Sequence, residues 1–222
     1  MRALLVAAAP VPGSADLVAE LASRSDLVIA VDGGGAVCLD AGVTPDLVLG
    51  DFDSLSSEAL AVLTDRGVRT VMFPSRKDHT DLELALDRAR ESGATEVAVT
   101  CATSGRLDHT LAAMGALAAN ADLRPELVEP DVTGWVLSAR GRSSLLLSGR
   151  GATISLLALA GPAIVSASGV EWPLEHVELL PGSGLGVSNV IVAPAGAAIG
   201  IHAGTVLVLA PHGPDGARAT DV

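Results

Sequence analysis

The hydrophobic pattern changes period once along this chain, near residue 120, and that change constrains the fold more than any other feature of its 222 residues. Before it, short apolar runs at 3–8, 27–31, 47–49, 68–73 and 97–101 alternate with helical patterns at 14–23, 35–41, 56–66, 81–92 and 107–120. Runs this short, without polar alternation, suit strands buried on both faces. Gly42, Gly67 and Gly93 follow three of the helical patterns as stop signals. Thr80-Asp-Leu-Glu83 opens another as a capping box. Strand–helix alternation of this kind predicts a mostly parallel sheet covered by helices.

Beyond the change the helical period is absent. Residues 122–130 read as irregular, and short strands are expected at 135–139, 144–147, 153–159, 164–170, 178–180, 190–193, 197–201 and 205–209. Turn residues separate them, among them Gly161-Pro162, Pro181-Gly182 and Ala203-Gly204. The expected fold class is therefore α/β, with an N-terminal parallel-sheet domain over 1–135 and a C-terminal antiparallel β-sandwich over 136–222. The polar tail 211–222 reads as frayed.

Charge narrows the partners. A formal net charge of −12 argues against non-specific nucleic-acid binding and against docking on anionic membranes. It leaves room for an anionic nucleotide, because a divalent ion reverses the local sign. Cys38 and Cys101 show no metal-ligand spacing, so a reducing cytoplasm is the simplest setting. Residues 3–10 faintly resemble a secretory leader with an Ala-x-Ala end, but 3–8 reads as a buried first strand. No apolar run has the length a membrane-spanning helix needs.

Polar clusters follow the strands of the first half. Val31-Asp-Gly-Gly-Gly35, Gly50-Asp-Phe-Asp-Ser54 and Lys77-Asp-His-Thr-Asp81 place acidic residues in loops, and Ser104-Gly-Arg-Leu-Asp-His109 adds a fourth. In a parallel sheet such loops gather on one edge. Asp51 and Asp53, at i and i+2 of an extended segment, would point the same way and share a hard cation such as Mg²⁺. The glycines at 33–35 would let a ligand approach the backbone, although the spacing is neither a dinucleotide fingerprint nor a P-loop. Arg106 is suited to bidentate contact with phosphate oxygens, with Asp108 or His109 bonded to it or to a base. Each cluster also has a plain explanation in turns, caps and an Arg–Asp pair. Together they point to phosphoryl or nucleotidyl transfer, where positioning and charge neutralisation dominate.

These motifs, in this order, resemble those of the thiamine pyrophosphokinases: Asp-Gly-Gly at 32–34, Gly50-Asp-Phe-Asp-Ser-Leu55, Lys77-Asp-x-Thr-Asp81 and Gly105-Arg-Leu-Asp-His109. Gly169-Val-Glu-Trp-Pro-Leu174 and Gly186-Val-Ser-Asn189 are similar to the family's thiamine-binding signatures. The resemblance implies transfer of pyrophosphate from ATP to the hydroxyl of thiamine, giving thiamine diphosphate and AMP. It implies Asp32, Asp51, Asp53, Asp81 and Arg106 as catalytic, with Asp51, Asp53 and Asp81 holding Mg²⁺. Gly33, Gly34, Ser54, Lys77, Asp78, Thr80, Asp108 and His109 would bind the nucleotide. Trp172 would be a platform for the cationic thiamine, with Ser188 and Asn189 as polar contacts to its pyrimidine end. A homodimer sharing the thiamine site between subunits is implied as well. Ser104 and Val190 depart from the family pattern, at a glycine and an acidic position respectively. Two alternatives are a pyrophosphokinase for another alcohol, such as a hydroxymethyl-pterin, and a non-catalytic nucleotide-binding homologue.

Overall fold

The computed structural model describes residues 1–103, 105–212 and 216–219. They form two compact units, Met1–Ala116 with Leu127–Pro130, and Leu117–Glu126 with the chain from Asp131 onward.

The first unit alternates β1 (Arg2–Val6), α1 (Ser14–Ser23), β2 (Leu27–Val31), α2 (Gly34–Asp40), β3 (Leu47–Gly50), α3 (Ser57–Asp65), β4 (Arg69–Met72), α4 (Asp81–Glu91), β5 (Glu96–Thr100) and α5 (Leu107–Ala119), before β6 (Glu126–Glu129). Its strand order is β6-β5-β1-β2-β3-β4. β1 runs parallel to both neighbours, with Leu4 opposite Val28 on one side and Ala98 on the other. The chain winds from β1 outward to β4 and then returns to the far side of β1, so the strand order reverses there, where α/β sheets bind ligands.

Composition explains the core. Leu4, Leu21, Ile29, Leu49 and Leu63 are fully buried, and small residues such as Ala30 and Ala98 let helices approach the sheet. Each buried leucine or isoleucine contributes about 1.5–3 kcal/mol. The capping box forms as expected: Thr80 Oγ1 accepts from Glu83 N at 3.3 Å, and Glu83 Oε2 accepts from Thr80 N at 2.7 Å. β4 departs from expectation. Among the described residues it is an edge strand paired only with β3, and Met72 is 70% exposed, so the run 68–73 is not buried on both faces.

The second unit begins with a 3-10 turn (Ala121–Leu123) and continues with β7 (Val132–Ser138), β8 (Ser144–Ser148), β9 (Thr153–Ala158), β10 (Ala163–Ser168), β11 (Leu174–Leu179), β12 (Asn189–Val190), β13 (Ala197–Ala203), β14 (Thr205–Pro211) and β15 (Arg218–Ala219). Antiparallel strands in the order β12-β9-β14-β7 face a second sheet in the order β11-β10-β13-β8-β15. Alternate residues of both, including Trp135, Leu137, Ile154, Val165, Ile199 and Val208, meet in one buried cluster. This is the expected antiparallel half.

Three local expectations are corrected. Residues 122–130 are not irregular but hold β6, bounded by Pro125 and Pro130. The strand expected at 178–180 begins at Leu174, opposite a register shift in β10 that obscures its alternation. In the tail, Arg218 pairs with Ser148 and Ala219 with Leu147, so this stretch is tied to β8. Residues 213–215 and 220–222, and the departure at Ser104, lie outside the described residues. Among the described residues, no helix is long and apolar enough to cross a membrane.

Candidate functional site

Two strand ends build the acidic group. After β2, Asp32 takes the left-handed conformation (φ 50°) while its amide donates to Leu49 O at 2.7 Å. A Cβ at Gly34 would lie 1.9 Å from Val6 O, so only glycine lets α2 begin this close to β1. A Cβ at Gly50 would lie 2.9 Å from the Asp32 Cβ, and its absence lets the β3 exit close on Asp32. Asp51 and Asp53 follow, separated by Phe52 at φ 61°. The segment is therefore a turn rather than the extended run expected, and Asp53 N donates back to Asp51 Oδ1 at 3.3 Å. The outcome still brings the carboxylates together: one oxygen from each of Asp32, Asp51 and Asp53 lies within 4.8 Å of the others.

Lys77 ties a fourth acid to this group. Its ammonium lies 3.1 Å from Asp81 Oδ1 and 3.8 Å from Asp51 Oδ2, with all three side chains at 22% exposure or less. The two acids respond in opposite directions. Burial pushes Asp51 up, but the Asp53 amide, Ser75 and Lys77 together hold it below the usual carboxylate range. Burial pushes Asp81 up, with smaller help from the like charges of Asp51 and Asp32, and outweighs the relief that Lys77 gives. Asp32 is 7% exposed, and its Oδ1 has no hydrogen-bond partner among the described residues.

These groups line an open cleft of about 1200 Å³ at the carboxyl ends of β1, β2, β3 and β5. Asp32, Asp51, Asp53, Ser54, Lys77, His79, Thr80, Asp81, Arg106, Asp108 and His109 all reach it. Gly33, Gly34 and Asp78 are not among its lining residues; the first two shape the α2 turn behind Asp32. Arg106 closes its fork on Asp108, Nε to Oδ1 at 3.1 Å and Nη2 to Oδ2 at 2.5 Å, on an exposed part of the rim. That pairing raises the Arg106 pKa and lowers that of Asp108. Sequence reasoning missed Ser75, which bonds Asp51, and the backbone stretch 7–10 that forms one wall. Position after β1 was the available signal for the second; nothing local marked the first.

In the second unit Trp172 is 56% exposed. Asn189 lies behind it at 3% exposure, and backbone groups engage its amide. Its Oδ1 accepts from Trp172 N at 3.1 Å and from Val190 N at 2.9 Å, while Nδ2 donates to Trp172 O at 2.7 Å. Ser188, at φ 59°, is exposed, and its amide donates to Ser155 Oγ at 3.0 Å. So Trp172 and Ser188 face outward, while Asn189 holds backbone.

Comparison with known proteins gives a consistent result for both units. The family "Thiamin pyrophosphokinase, catalytic domain" matches residues 18–128, and "Thiamin pyrophosphokinase, vitamin B1 binding domain" matches 145–206. A thiamine pyrophosphokinase of Bacillus subtilis is 35% identical over 102 residues, 45% of this chain and 48% of that protein. Thiamine pyrophosphokinase 2 of Arabidopsis thaliana is 26% identical over 156 residues, 66% of this chain and 58% of that protein. The matched stretches thus span about half the length of these curated relatives. Among solved structures, the Bacillus subtilis thiamine pyrophosphokinase superposes with a TM-score of 0.76 at 24% identity, covering 100% of both chains. That of Geobacillus thermodenitrificans gives 0.76 at 24%, covering 96% of this chain and 99% of its own. At this identity the superpositions establish a common fold.

Proposed function

Because the chain belongs to the thiamine pyrophosphokinase family, we propose that it transfers pyrophosphate from ATP to the hydroxyl of thiamine, releasing AMP. The observation that carries this reading is the convergence of Asp32, Asp51 and Asp53 within 4.8 Å, beside Lys77, in a cleft roomy enough for a nucleotide.

The donor set fits Mg²⁺. Three carboxylates crowd together, and the buried Asp32 Oδ1 lacks a partner among the described residues, an arrangement a hard cation relieves. Asp51 and Asp53 would hold the ion, with Asp32 as the nearest further ligand and Asp81 at the Lys77 side. When bound it would supply charge neutralisation at the phosphates.

In the proposed reaction the thiamine oxygen attacks the β-phosphorus in line. The O–Pβ bond forms as the bond from Pβ to the bridging oxygen breaks, and AMP leaves with that oxygen. A carboxylate of the acidic group takes the hydroxyl proton. Lys77 and Arg106 face developing charge, which requires Arg106 to exchange Asp108 for phosphate oxygens. Thr80, Asp108 and His109 contact the nucleotide from the rim. The first unit is the ATP half and the second the thiamine half, with Trp172 stacking on the cationic ring.

We assign a homodimer in which the thiamine site is shared between subunits. The exposed apolar Leu107 and Leu111 on α5, and Trp172, Leu185 and Val187 in the second unit, support that assignment. ATP as substrate and two free cysteines fit a cytoplasmic setting. The deciding assay is purified protein with thiamine, ATP and Mg²⁺, scored for AMP and thiamine diphosphate. Turnover of a different alcohol in the same assay, with none of thiamine, would replace this reading.

A further inference from the structure

Glu129 ends β6 at 2% exposure, and with Asp32 it is one of two buried acids among the described residues. A buried carboxylate forfeits its hydration and persists only where other groups satisfy it. Here the partners are backbone amides. Cys101 N donates to Oε2 at 3.1 Å and Ala102 N to Oε1 at 2.8 Å, and Thr103 bonds it from both backbone and side chain. Since both oxygens accept N–H groups, the geometry is that of the ionised form.

The segment so held is strained and central. Cys101 is left-handed at φ 57°, with its side chain fully buried. A non-glycine residue keeps such a conformation only when its surroundings impose it. The same segment supports its neighbour: Thr100 O accepts from Ala7 N at 3.0 Å, and Cys101 O from Ala9 N at 2.9 Å. Residues 7–10, with Cys101 and Ala102, form a wall of the cleft. The hydrogen bonds therefore run from Glu129 through 101–103 to 7–9, ending where a nucleotide would lie.

We propose that Glu129 is a positioning residue: its ionised carboxylate clamps the turn after β5 and thereby sets the cleft wall that receives ATP. The nucleotide part rests on the function proposed above; the clamp itself does not.

The two cysteines report on the clamp separately from the fold. Both are buried, and burial pushes the Cys38 thiol up to about 12 and raises that of Cys101 as well, so neither reacts readily in the closed structure. In Glu129→Gln the side chain directs an N–H₂ group at an N–H donor. Iodoacetamide labelling, quantified at each site by mass spectrometry, should then run about ten-fold faster at Cys101 and stay unchanged at Cys38; amide hydrogen exchange at Cys101 and Ala102 should quicken alongside, which loss of the Glu129 charge beside the thiol would not by itself produce. Calorimetry should show Mg²⁺·ATP affinity reduced about ten-fold. Glu129→Asp, which keeps the charge, should recover part of both, and it carries the test if the glutamine variant fails to fold. Val128→Ala, which trims the same strand, should leave both readouts near wild type.

Equal acceleration at both cysteines would overturn the clamp, as would labelling within two-fold of wild type. Unchanged ATP affinity despite selective Cys101 labelling would overturn its role in the nucleotide wall. A loss of ATP affinity in Val128→Ala matching that of Glu129→Gln would do the same. If the wild-type protein bound no ATP, the function proposed above would fall, and the labelling would still judge the clamp.

Discussion

Lys77 Nζ lies 3.1 Å from Asp81 Oδ1, four residues along the chain, and reaches Asp51 with the same ammonium. One cation thus sits between two acids that would otherwise repel. Removing it exposes that repulsion: Lys77→Met should lower stability by about 1–3 kcal/mol in the presence of a chelator. Saturating Mg²⁺ should restore part of the loss. Urea unfolding with EDTA and with Mg²⁺ checks this, and equal destabilisation under both conditions would contradict it.

Asp51→Asn and Asp81→Asn should each lower turnover by about 10²–10³-fold with the fold retained. Circular dichroism alongside the AMP assay separates the two effects. Near-normal activity in both variants would remove the metal assignment.

Trp172→Ala should raise the KM for thiamine about ten-fold while leaving that for ATP within two-fold, since the residue lies in the unit proposed to bind thiamine. Asn189→Ala should act through the same residue, because it frees the backbone that holds Trp172, and should also cost about 1–3 kcal/mol from unsatisfied buried groups. Steady-state kinetics with each substrate varied, together with urea unfolding, test both statements.

Glu129 gives a pH dependence with a definite sign. Burial raises its folded pKa above the ordinary 4.5, against the opposing hydrogen bonds from the amides of 101–103. A carboxyl whose pKa is raised on folding penalises the native state above that folded value, and the penalty fades as the pH falls through it toward 4.5. Wild type should therefore gain stability relative to Glu129→Gln as the pH is lowered from neutrality through this window. Paired thermal melts across it should show the wild-type Tm rising relative to that of Glu129→Gln as the pH falls, and a flat or opposite trend would contradict the shift.

Much of this was legible in the sequence because strand ends and caps are local. The acids at 32, 51 and 53 announce themselves by following apolar runs, and Thr80 with Glu83 fixes the start of α4. What stayed hidden depends on distance in the chain. β6 is four residues between prolines, too short to show a period, so Glu129 looked like part of an irregular stretch. The hold of Asn189 on backbone was hidden as well, because nothing local reveals that its amide meets the main chain of Trp172, 17 residues away. Edge exposure of β4 was equally invisible, since strand order is set by topology rather than by the apolar run itself.

The return of Leu127–Pro130 to the first unit bears on how such a protein can be divided or recombined. A gene fragment ending at residue 116 would encode the acids proposed as catalytic but omit β6 and, with Glu129, the anchor of the turn after β5. Exchange of the β-rich half between relatives should therefore place its junction after Pro130, because an earlier crossover would pair one parent's cleft with the other parent's clamp.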